Sequence, residues 1–289
     1  MKMNLLLWSA IIFLVVVGCV GEKPQADPAL FWKEGKYCVQ TTALTQEEGS
    51  RTVRARMDGK WHDYELVEFT EEFMEWNLAR RKETIELFRA MMRGEETGEG
   101  PDLAGPHNGI VATYGFQRED SQFKLNNAVK GMGFLPRREV IAGIITMLEE
   151  NMDAPMPVRL EKLAYLYEKA DSIFARDKQI SLELYSQPEF MTQSFLNQMV
   201  NPVATIVFLD IPSYKLKTVV RLLHPEDPDL TAYERDVVKY INLIHGFFHG
   251  PFSKNFIAVI YYTVEIFDNS PMGSDPETGM GRRVAPPLL

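Results

Sequence analysis

The chain has 289 residues, is 45% apolar and carries a net charge of −9. That length accommodates one large domain or two small ones, and the apolar share is that of a globular protein. The acidic balance excludes the basic footprint needed for sequence-independent binding to nucleic acid, and it argues against a body lying flat on anionic lipid.

The first residues follow a recognisable order. Lys2 is followed by an apolar stretch, Leu5 to Val17, broken only by Ser9. A spanning helix needs ~20 apolar residues, so the stretch is short for one. Val16-Val17-Gly18-Cys19 resembles the lipobox of bacterial lipoproteins. An uncleaved anchor and an ordinary secretory signal share the apolar run; the Cys directly after Val-Val-Gly is what distinguishes the lipoprotein type. The resemblance implies that residues 1–18 are a signal peptide and that Cys19 carries lipid such as palmitate, enough chains for stable anchoring. It implies a cell-envelope protein facing the extracytoplasmic side. Val20, where an Asp would resemble an inner-membrane retention signal, favours the outer membrane if the cell is Gram-negative. The removed segment holds one Lys and no acid, so the mature charge is −10.

Residues 19–29 read as a tether, polar and Pro-containing, reaching ~30 Å at most and keeping the body near its membrane. With Cys19 lipidated, Cys38 is the remaining thiol and reads as a buried small hydrophobe; an intermolecular disulfide or a reactive thiol is the alternative.

Residues 36–68 predict a small β unit, with Asp58-Gly59 as a type I′ hairpin turn. Residues 70–93 predict a helix capped by Thr70. Its apolar stripe runs through Met74, Leu78, Ile85, Phe88 and Met92, Arg80-Arg81-Lys82 forms a solvated face, and Gly94 is the stop. Residues 94–108 are an acidic Gly/Pro-rich loop and a possible internal boundary, without the spacing of an EF-hand. A short strand at 110–116 is followed by predicted helices at 121–130, 136–151, 158–185 and 188–200, a strand at 202–210 and a helix at 212–223. Thr231-x-x-Glu234 is a capping box, and the helix it opens ends at Gly250-Pro251. Residues 256–267 read as a central strand, and 269–289 as a disordered tail. The expected fold is α+β and predominantly helical: one domain over residues 30–268, with an N-terminal β-hairpin unit and a small sheet that includes a C-terminal strand.

Chemistry-bearing patterns are sparse. His245-Gly-Phe-Phe-His249 places two imidazoles at i and i+4, a spacing that suits Zn²⁺, with Glu265 or Glu234 as a third ligand. Gly246 stands where a metalloprotease would carry its general-base Glu, and a helix C-terminus also favours histidine without any metal. Nucleophile-elbow, phosphate-loop, complete dinucleotide and haem-attachment motifs are missing. No cofactor is expected beyond that possible zinc. Phe252, Phe256, Tyr261 and Tyr262 belong to a late aromatic cluster that reads as core, or as a groove for a ligand. The leading expectation is an anchored envelope lipoprotein that acts by binding, as accessory subunit or assembly factor for an envelope protein, rather than as an enzyme. The loop 95–108 and the tail are its expected contact segments. The alternatives are a metal-dependent hydrolase using His245 and His249, and a small-ligand-binding or sensor lipoprotein.

Overall fold

The structure is a computed structural model that describes residues 27–97, 104–271 and 279–287. The signal segment, Cys19 and most of the tether lie outside those residues. After a short helical turn come two small hairpins: β1 (Trp32–Lys33) with β2 (Tyr37–Cys38), and β3 (Thr52–Met57) with β4 (Lys60–Glu65). Asp58 and Gly59 both take positive φ, 49° and 80°, as a type I′ turn requires. Helix α1 (Glu71–Met92) follows, and the Thr70 hydroxyl accepts from the Phe73 N–H at 3.2 Å.

Eight further strands form one antiparallel sheet: β5 (Asn108–Tyr114), β6 (Leu125–Gly131), β7 (Gly133–Pro136), β8 (Phe174–Glu183), β9 (Val203–Phe208), β10 (Tyr214–Leu223), β11 (Ile257–Asp268) and β12 (Arg282–Ala285). The order is β6-β5-β9-β10-β11-β8-β7, with β12 paired to the end of β11. The long strand expected at 256–267 is present and internal. The helical share is not as expected: helix and strand each make up 32%, so the fold is not predominantly helical. Three segments expected as helix are strands. In β10, Tyr214, Leu216 and Thr218 are buried while Lys217 is exposed, a period-two pattern continued by β-branched Val219 and Val220. β8 is paired on both edges and buried continuously from Lys178 to Glu183, so it shows no alternation to read. β6 is an edge strand with no buried residue, and its pairing with β5 decides its conformation. In the segment expected as a disordered tail, Arg282–Ala285 returns to the sheet as β12.

The remaining helices are α2 (Ile141–Glu150), α3 (Met156–Glu168), the single turn α4 (Ala170–Ile173), α5 (Gln193–Val200) and α6 (Ala232–His249). The α6 capping box is formed, with Thr231 N–H donating to Glu234 at 2.8 Å and Glu234 N–H donating to the Thr231 hydroxyl at 3.2 Å. α1 packs against α3, α3 against α6 and α6 against α2, and α6 lies over β8 and β11. α5 packs against β5, β6 and β10, and Ser194 to Met199 are all buried.

The sheet order has a geometric consequence. β6 and β7 occupy opposite ends of the order, yet only Met132 separates them in the chain. The sheet must therefore curl until its two edges meet. Lys130 of β6 and Glu183 of β8 clasp this seam at 2.7 Å, both largely shielded from water. Gly109 beside it permits the close fit: a Cβ there would lie 2.8 Å from both the Met132 and the Ile206 side chains.

Candidate functional site

The seam is one wall of a cavity of about 560 Å³ between Gly131–Gly133, α1, α3, the approach to β5 and the end of α6. α1 contributes its least expected residue. The buried stripe of this helix runs Phe73, Asn77, Arg81, Ile85, so Arg81 is 2% exposed rather than solvated. Its neighbour Arg80 turns outward and binds Asp210 through two bonds, at 2.7 and 2.9 Å, and Glu83 at 3.0 Å.

Among the described residues, Arg81 is held entirely by uncharged groups. Its Nε donates to Asn77 Oδ1 at 2.6 Å, and its Nη2 to the carbonyls of Pro106 and Met132, each at 2.9 Å. The guanidinium carbon stands 5.2 Å from the Phe134 ring centre and 5.6 Å from that of Tyr167. Nη1 is the loosely held end, with contacts of 3.4 Å to both His107 Nδ1 and the Tyr167 hydroxyl. No carboxylate pairs with Arg81 among the described residues.

Three histidines line the same cavity. His107 precedes β5; an arginine can only donate, so His107 Nδ1 accepts and its proton sits on Nε2, which is shut off from solvent without a partner. Burial, with Arg81 and His249 nearby, pushes the His107 pKa down to about 3, so the ring is neutral at pH 7. His245 has the opposite polarity. Its Nδ1 donates to the Ile241 carbonyl at 2.9 Å, leaving Nε2 as an acceptor near Gly131, where a Cβ would be 3.7 Å away. Burial lowers its pKa as well, the Ile241 carbonyl partly opposing this and His249 adding to it. His249 closes the α6 end of the cavity. The other walls are apolar, among them Ile85, Leu87, Leu163 and Ile244, with Phe88 and Phe248 edge to face at 5.0 Å.

The structure thus brings together His245 and His249, as the i, i+4 spacing implied, but not their expected third ligand. Glu265 on β11 lies outside the cavity lining and binds Lys217 at 2.6 Å and Arg283 at 3.5 Å. Glu234 is taken up by its cap and by Thr45 and Arg221. Among the described residues there is no group of three or more His, Cys, Asp or Glu side chains placed to hold a metal. The four aromatic residues do not make one groove. Tyr261 and Tyr262 are consecutive strand residues on opposite faces of the sheet, both fully buried. Phe252 packs edge to face on Phe256 at 5.1 Å, and Phe256 lines a separate cleft with Trp32 and His224. Cys38 is buried and its thiol is pushed up to about 12, so it stays protonated and packs as a hydrophobe.

Arg81, His107 and Tyr167 were not anticipated. Asn77-x-x-x-Arg81 on the apolar stripe of α1 is the one local trace, since a polar pair at i, i+4 on a buried face can bond to itself. His107 has no local trace; it reaches the others only through sheet pairing. No protein-family model matches the chain, and no curated protein matches it significantly.

Proposed function

We infer that this is a lipid-anchored cell-envelope protein that acts by binding, and that what it binds is a small amphipathic molecule held in the cavity beside the sheet seam. The observation that carries this is the cavity itself. At about 560 Å³ it has the size of a ligand site, with apolar walls and a few polar side chains among them. The lipobox-like residues support the anchor, and the net charge supports a site turned away from nucleic acid. The small-ligand reading has stronger support than a role as accessory subunit, because its site is made of named groups. A metal-dependent hydrolase has less support, since the buried guanidinium of Arg81 opposes a cation and Glu265 is engaged elsewhere.

The test is thermal unfolding of the full-length protein with small-molecule fractions from its own membranes. A ligand that binds only the folded state raises the midpoint by mass action. A dose-dependent rise is expected for the wild type. It should be lost in Gly131→Leu, whose new side chain enters the cavity beside His245 without backbone strain. A rise of equal size in both proteins would place binding elsewhere, and no rise with any fraction would remove the reading.

A further inference from the structure

We propose that the ligand carries a carboxylate, received by Arg81 Nη1 in the cavity, with its apolar body against α1, α3 and α6. The proposal rests on the small-ligand reading above and specifies its chemistry.

Three observations lead to it. The first is an unanswered charge. Among the described residues Arg81 is a buried cation bonded only to neutral acceptors, and a buried charge is stabilised fully only when paired and hydrogen-bonded. The second is a weakly used donor. Arg81 Nη1 makes only 3.4 Å contacts, to His107 Nδ1 and the Tyr167 hydroxyl, so it can take up a shorter bond to an incoming acceptor. A carboxylate oxygen accepts such a charge-assisted bond. The third is the charge count. Asp210 balances Arg80 and Glu83 is mostly in solvent, so among the described residues Arg81 is the buried cation left without a counter-ion. A monoanion balances it, whereas a phosphate monoester dianion would leave one negative charge buried. The apolar walls, Ile85, Leu87, Phe88, Leu163, Ile244 and Phe248, then select an acid with a hydrocarbon or aromatic body over a small hydrophilic one.

Full-length protein in nanodiscs is titrated with octanoate, octanol and octylamine, which share a chain and differ at the head. Binding of octanoate at least about tenfold tighter than either of the others is expected, the range of a charge-assisted hydrogen bond. Equal or tighter binding of octanol overturns the carboxylate and leaves the cavity reading standing. Failure of all three to bind overturns both. Arg81→Gln should erase the preference while octanol still binds, and a preserved preference overturns the assignment of Arg81. Because that variant removes bonds to Pro106 and Met132 and can unfold, a second readout uses the wild type alone. Octanoate labelled with ¹³C at its carboxyl is observed at about pH 5, where an aqueous carboxylic acid is partly protonated. The bound carboxyl should remain fully ionised beside the guanidinium. A bound carboxyl that titrates as it does in water would place the head in solvent and sink the proposal.

Discussion

At the scale of single residues, the chemistry is set by burial without neutralisation. Arg81 is drawn inward because it continues the α1 stripe and because Asn77, one turn earlier, accepts its Nε. His107, His224 and His245 are all pushed towards their neutral forms, chiefly by burial. The consequence for stability has a definite sign. Their pKa values in the fold lie below those in the unfolded chain, so the unfolded chain takes up protons first as pH falls. Their stabilising contribution is complete above about pH 6.5, the ordinary histidine value, and is lost progressively towards pH 3. Urea denaturation across this range should show stability falling on acidification, with a shallower fall in His107→Gln. An equally steep fall in that variant would show that His107 is not among the responsible groups. His245 and His249 were legible from their spacing. Arg81 was misread because an Arg-Arg-Lys run resembles a solvated face until its neighbours are known.

At the scale of elements, the curled sheet makes the cavity, and its closure rests on a few contacts. Lys130→Met leaves the Glu183 carboxylate buried without its cation, which should cost about 3 kcal/mol and loosen the seam. Equilibrium unfolding measures this, and a loss below about 1 kcal/mol, typical of a surface pair, would mean the clasp is solvated. Thr231→Ala removes the hydroxyl half of the α6 capping box and should cost about 1 kcal/mol by the same assay, without altering ligand preference. A changed preference would mean that the α6 cap governs the site at its far end. The elements legible in the sequence were those with local instructions: α1 with its cap and stripe, α6 with its capping box, the β3–β4 hairpin with Asp58-Gly59, and the apolar β11. Those that escaped depend on distant partners. β8 is buried without alternation, and β6 takes its form from β5. The cavity was invisible for the same reason, since it exists only once β6 and β7 meet.

At the scale of the whole molecule, the proposed anchor would join the membrane to a body proposed to hold an acidic amphipath. A short tether would keep that body near the lipid from which such a molecule could be drawn. Cys19→Ser should abolish labelling by radioactive palmitate and move the protein out of the membrane fraction. Retention with unchanged labelling would mean that Cys19 is not the acylated residue. The measurement that bears most directly on the central claim is native mass spectrometry of the full-length protein isolated from its own envelope. A non-covalent adduct that is released as a carboxylate anion and is missing from Gly131→Leu is expected. An intact protein of bare mass, or an adduct retained in Gly131→Leu, would contradict it.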